Sequence, residues 1–241
     1  MEIALFILLP FVAFLYASVG HGGASGYLAL MALVGVSSMY MKPTALILNL
    51  FVAGIAFLQF RRMGYFKWRL FYPFIITSIP AALFGGYLSI DGDIYKRILG
   101  VLLIFAVFRM LWKPNIENQE KSKIPILYGL LAGVLIGFFS GLIGIGGGII
   151  LSPLILVFGW AKVKETAAVS ALFIWVNSFA GLVGLSVSGF ELEPNYLLLI
   201  ALAVLGGFGG AYFGGSILNS KKLVYLLTGV LALASIKLIL L

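Results

Sequence analysis

Apolar runs of spanning or nearly spanning length follow one another along almost the whole chain. They cover roughly residues 3–19, 25–36, 43–60, 70–89, 94–112, 125–140, 149–160, 166–187, 195–217 and 222–241. One spanning helix takes about 20 residues, so 241 residues hold ten such elements only if several are short and the loops are tight. Sixteen Lys and Arg and eight Asp and Glu make 10% of the chain, while 62% is hydrophobic. A soluble domain carries about 25% charged residues, and this chain has too few to cover a water-facing surface. It uses lipid as its solvent. The expected fold class is therefore an all-α polytopic membrane protein.

The same residue counts exclude most chemistry. No cysteine is present, which removes disulfides, thiolate metal sites and thiol nucleophiles. There is one histidine, and every carboxylate lies near a run's end or in a loop: Glu2, Asp91, Asp93, Glu117, Glu120, Glu165, Glu191 and Glu193. Acid–base or nucleophilic catalysis has almost no parts, so we expect no enzyme, no metal and no cofactor. The first residues, Met-Glu-Ile-Ala, lack the basic stretch of a signal peptide, and the first run is expected to be retained.

Lys113 to Lys123 (KPNIENQEKSK) is the one clearly hydrophilic stretch, and it divides the chain into nearly equal parts. We read residues 1–113 as a first membrane repeat, 114–123 as a polar linker and 124–241 as a second repeat. Gly20, Gly22 and Gly23 match Gly144, Gly146 and Gly147 at an offset of 124. Thr44-Ala45 matches Thr166-Ala167 at 122, and Phe84-Gly85-Gly86 matches Phe213-Gly214-Gly215 at 129, as does Gly100-Val101-Leu102 with Gly229-Val230-Leu231. Offsets that change only between segments are what loop insertions produce in a duplicated chain.

Basic residues orient the halves. Arg61, Arg62, Lys67 and Arg69, then Arg109, Lys113, Lys121 and Lys123, then Lys162, Lys164, Lys221 and Lys222 fall on one side of the membrane in an alternating topology. That side is cytoplasmic by the positive-inside rule. Lys42, Lys96, Arg97 and Lys237 fall outside, with the Glu191–Glu193 loop, and this asymmetry accounts for most of the +8 net charge. The first half then begins outside and the second inside, which makes an inverted-topology repeat of the kind found in secondary transporters. Each half would hold a Gly-rich broken or re-entrant helix pair followed by three spanning helices.

Glycine clusters in lipid have two uses. Gly85-Gly86, Gly206-Gly207, Gly209-Gly210 and Gly214-Gly215 sit inside long runs, where small residues let helix backbones approach. The clusters at 20–26 and 144–148 are too dense to sustain a helix. They are expected to form unwound backbone, tolerated at membrane depth only where protein or a wet cavity satisfies it. The short runs that follow place helix starts there, and free amide N–H groups at a helix start attract anions. A nucleotide-binding reading of GIGGG fails because no strand–helix–strand context surrounds it.

These paired glycine motifs, their place at the head of each half, the basic linker and the chain length together resemble the TauE/SafE family of sulfite and organosulfur anion exporters. The resemblance covers essentially the whole chain. It implies a two-repeat permease of the cell's inner membrane that moves small anions such as sulfite or sulfonates. The family's loop glycines correspond to Gly20, Gly22, Gly23, Gly144, Gly146 and Gly147. The first loop departs from the glycine pattern by carrying His21 where the second carries Ile145.

The expected substrate lining is Gly20, His21, Gly22, Gly23, Ser25 and Asn49 from the first half, with Gly144, Gly146, Gly147, Gly148, Ser170 and Asn177 from the second. Amide, hydroxyl and Asn donors select an oxyanion without a trapping charge. His21 is either a hydrogen-bonded structural imidazole or the group that couples transport to protons, since histidine alone titrates near neutral pH. The expected function is alternating-access transport of a small sulfur oxyanion, with a passive anion channel as the rival reading. Expected partners are the anion and the bilayer, with no nucleic acid and a homodimer left open.

Overall fold

The computed structural model describes residues 2–111, 124–190, 192, 195–213, 232–233 and 235–240. The linker, Gly214-Gly215, Gly229 to Leu231, Lys221, Lys222, Glu191 and Glu193 lie outside the described residues, as does most of the tenth run. Within them the chain forms nine α-helices and no strand. The helices are α1 (Glu2–Ser18), α2 (Ala24–Val34), α3 (Ser38–Arg62), α4 (Trp68–Tyr87), α5 (Gly92–Leu111), α6 (Ile126–Ile143), α7 (Gly148–Val157), α8 (Val163–Ser188) and α9 (Tyr196–Phe213). Five of them, α3, α4, α6, α8 and α9, are long and apolar enough to cross a membrane. The apolar runs anticipate these elements closely. Glycines in the left-handed conformation separate the short helices from their predecessors: Gly20 and Gly23 before α2, and Gly144, Gly146 and Gly147 before α7. Only glycine adopts that conformation freely.

The long helices α3 and α8 cross antiparallel at the centre. Leu46 of α3 packs at Gly181 of α8, the Asn49 amide donates to the Ser178 hydroxyl at 3.2 Å, and Gly54 faces Trp175. As the α3 numbers rise, the α8 numbers fall. Two glycine ladders join the flanking helices to one another. Along α6, Gly129, Gly133, Gly137 and Gly141 sit directly on Pro73, Phe74, Ser78 and Ala82 of α4, so α4 and α6 run parallel. Along α9, Gly206 and Gly210 sit on Pro10 and Phe14 of α1, again in parallel. A Cβ at Gly133, Gly137, Gly141, Gly206 or Gly210 would collide with the facing helix's backbone carbonyl. Small residues at four-residue spacing thus let backbones touch, which is how helices associate without a hydrophobic driving force in lipid. Gly85 and Gly86 of α4 do the same against Phe138 and Gly181, as expected for packing glycines.

One helix end differs from the sequence expectation. Helix α3 begins at Ser38 rather than near residue 43, so Lys42 lies inside it and is buried. Its ammonium has left the loop environment and donates to the Gly86 carbonyl at 2.8 Å, the Leu88 carbonyl at 3.2 Å and, more weakly, Gly85 at 3.4 Å. These are the unsatisfied carbonyls that end α4, where a cation is favoured. At the other end of α4, Lys67, its N-cap residue, pairs with Glu165 of α8. Glu165 also accepts the Lys162 backbone N–H and so caps α8. Helix α4 is thereby tied to α3 at one end and to α8 at the other.

Candidate functional site

The two glycine loops meet at the α3–α8 crossing. A Cβ added to Gly22 would collide with Asn49 Oδ1 and lie 2.9 Å from Ile174 Cγ2. A Cβ added to Gly146 would lie 2.6 Å from Asn49 Nδ2 and 2.7 Å from the same Ile174 Cγ2. Both loops therefore press on the same two side chains, one from each crossing helix. At the loops' outer turns the neighbours differ: Gly20 abuts Ala167 of α8, and Gly144 abuts Lys42 of α3. Each loop runs from near the start of the opposite crossing helix to its middle.

Backbone conformation and crowding divide the glycines' duties. Gly20, Gly23, Gly144, Gly146 and Gly147 have positive φ, whereas Gly22 and Gly148 do not. Space alone demands glycine at those two, since a Cβ at Gly148 would collide with Ile174. Gly23 and Gly147 are the N-cap residues of α2 and α7, and neither helix has a side-chain cap. The first-turn amide donors of two helices thus start at the crossing without a capping side chain.

The polar side chains of the loops and of the crossing helices are buried. Asn49, Ser170, Asn177 and Ser178 are fully buried, and Thr44, Thr166, Ser25 and Ser152 nearly so. Asn49 Oδ1, Asn177 Oδ1, Ser140 Oγ, Thr44 Oγ1, Thr166 Oγ1 and Tyr27 OH have no hydrogen-bond partner among the described residues. Buried polar groups are normally paired, and these six are groups that the described residues leave open. Ser25 is engaged instead, 2.8 Å from the Tyr16 hydroxyl, and the Asn177 amide donates to the Phe173 carbonyl.

His21 crosses between the halves. Its Nδ1 lies 3.1 Å from the Val19 carbonyl oxygen, which can only accept, so that nitrogen carries a hydrogen. Its Nε2 lies 2.9 Å from Ser152 Oγ of α7, which in turn lies 2.8 Å from Ser170 Oγ of α8. Of the residues expected to line the site, Gly22, His21, Asn49, Gly146, Gly148 and Ser170 converge on one neighbourhood. Ser152 and Ile174 join them without having been expected: Ser152 is one serine in an apolar run, and an isoleucine there carries no sequence signal.

Five spanning-length apolar helices among the described residues, with a buried polar centre beside two unwound loops, define a multi-pass membrane protein. Residues 5–238 match the family described as sulfite exporter TauE/SafE, and the chain belongs to that family. It is 39% identical over 234 residues to a probable membrane transporter protein, y4hK, of Sinorhizobium fredii, covering 95% of this chain and 94% of that one. It is 24% identical over 212 residues to the probable membrane transporter protein YunE of Bacillus subtilis, covering 77% and 74%. A probable membrane transporter protein of Methanocaldococcus jannaschii shares 33% identity over 120 residues, 48% of this chain and 45% of its own. No solved structure matches significantly.

Proposed function

We propose that the protein carries a small sulfur oxyanion, sulfite or a sulfonate, across the inner membrane by alternating access around its two glycine loops. The observation that carries this reading is the convergence of both loops on Asn49 and Ile174. An anion there would meet the uncapped amide ends of α2 and α7, the Asn49 and Asn177 amides and the hydroxyls of Ser140 and Ser170. Such donors hold an oxyanion while leaving it free to depart, whereas a buried Arg would trap it. The name of the matching family supplies the sulfur.

Residues 1–113 and 124–241 act in this reading as inverted repeats, with the 113–123 linker on the cytoplasmic side. The antiparallel crossing of α3 and α8, third elements of their halves, supports it. So does the matched use of α6 on α4 and α9 on α1. Rocking of one repeat against the other would expose the crossing to each face in turn.

Purified protein in proteoliposomes tests the reading with radiolabelled sulfite. Saturable uptake that shows counterflow and is competed by sulfonates supports a carrier; unsaturating flux turns the assignment to a channel. Absence of both sulfite uptake and stabilisation by sulfite, sulfonates or thiosulfate in a thermal-shift screen overturns the substrate class, because a ligand stabilises the state it binds.

A further inference from the structure

The buried face of α8 that looks onto the loops alternates in character. Thr166, Ser170, Ile174 and Ser178 follow at four-residue intervals and so lie along one side of the helix. Three of the four bear hydroxyls. The fourth, Ile174, is 3% exposed and wedged by glycines from both loops: Gly22 and Gly146 against its Cγ2, and Gly148 against its Cδ1 and Cγ1. Asn49 closes the same space from α3, its amide spanning Gly22 on one side and Gly146 on the other. Along α8, therefore, an apolar plug interrupts a polar track at the level where the loops meet. A short apolar constriction between polar segments blocks ions by excluding water rather than by charge.

We infer that Ile174 is the closing residue of the permeation path and sets the size of anion that passes. The inference rests on the anion-transport reading above and adds to it a residue with a defined task. An anion held beside Asn49 passes on toward Ser170 or toward Ser178 only when the loops draw back from the isoleucine. Its Cγ2 fills the gap that Gly22 and Gly146 leave by having no Cβ, so a smaller side chain widens the gap and a larger one seals it.

The absence of native cysteine makes the test direct. Ser170→Cys and Ser178→Cys, one turn either side of Ile174, each place a single thiol on the track. The probe is the membrane-impermeant anion methanethiosulfonate ethylsulfonate, added to one face of oriented vesicles at a time. We expect Ser170→Cys to react only from the face nearer Lys162 and Ser178→Cys only from the opposite face. Adding Ile174→Ala should raise reaction from the far face at least tenfold, and Ile174→Val, which removes one methylene and keeps the fold, should raise it about threefold. In parallel, Ile174→Ala should raise uptake of benzenesulfonate relative to sulfite about tenfold. Reaction of both thiols from one face, or far-face rates unchanged in both the Ala and Val variants, overturns the assignment of Ile174 even if sulfite transport is normal. Conversely, the expected labelling pattern in a protein that transports no sulfur oxyanion keeps the closing residue and overturns the substrate reading.

Discussion

Replacing Gly22 by alanine asks whether crowding alone disables the loop crossing, because Gly22 is a loop glycine without a positive φ. The new Cβ would collide with Asn49 Oδ1 and lie 2.9 Å from Ile174 Cγ2, where ordinary contact begins near 3.4 Å. Ile174 must retreat by about half an ångström, within what a packed side chain concedes. Asn49 must move further and give up its 3.2 Å bond to Ser178. Overpacking costs about 1–3 kcal/mol and a lost neutral hydrogen bond about 0.5–1.5 kcal/mol. Their sum predicts a destabilisation of about 1.5–4.5 kcal/mol. Asn49→Ala alone should cost about 1–2 kcal/mol, since it leaves Ser178 without its donor. In the double variant the alanine Cβ enters the space Asn49 vacated, so the pair should cost little more than Asn49→Ala by itself. The coupling is then nearly the whole Gly22→Ala cost, about 1–4 kcal/mol in the stabilising direction, far outside the few tenths expected of independent sites. Reversible unfolding of the purified protein in mixed micelles by sodium dodecyl sulfate, followed by tryptophan fluorescence, measures all four corners of the cycle. Additive costs would show that Asn49 does not occupy the space beside Gly22, and the convergence of the two loops would lose its main support.

Reporters fused after Arg62 and after Lys162 should lie on the same face, because Lys67 pairs with Glu165 where α3 has ended and α8 begins; opposite signals would refute the antiparallel crossing. Protein labelled with 15N-histidine gives a single imidazole spectrum, and its neutral form should carry the hydrogen on Nδ1, facing Val19; an Nε2–H spectrum would break the tie to the Val19 carbonyl. Tyr95→Phe should cost about 0.5–1.5 kcal/mol by removing the 2.9 Å bond to the Ile143 carbonyl, with transport retained, read by the same micelle unfolding and sulfite uptake. Gly141→Ala should yield little folded protein on size-exclusion chromatography, since its Cβ meets the Ala82 backbone carbonyl and α4 and α6 cannot part without losing their whole glycine ladder.

The helices were legible because lipid demands long apolar runs and glycine interrupts them. The expected runs at 25–36 and 149–160 became α2 and α7 to within three residues, and the loops expected to unwind hold five left-handed glycines, although Gly26 and Gly148 are already helical. Lys42 misled the reading of α3. A lysine beside a proline looks like a loop, and only the carbonyls ending α4, distant in sequence, give its charge a buried partner. The site was half legible. Asn49, His21 and Ser170 stand out as polar residues in apolar surroundings, and they converge. Ile174 could not be found this way, since what distinguishes it is the three glycines from distant loops that close on it. Ser152 is visible only through the imidazole that reaches it from 131 positions away.

Helix α4, held by Lys42 at its last carbonyls and through Lys67 to Glu165 at its first turn, behaves mechanically as a crossbar. Its two fastenings go to different crossing helices at opposite ends, and the α6 ladder stiffens it between them. When such a bar tilts, one end approaches its anchor as the other withdraws. Both ends come free together only if a buried lysine abandons three carbonyls and an ion pair breaks at once. In the alternating-access reading proposed above, such a bar acts as an interlock, like the paired doors of an airlock.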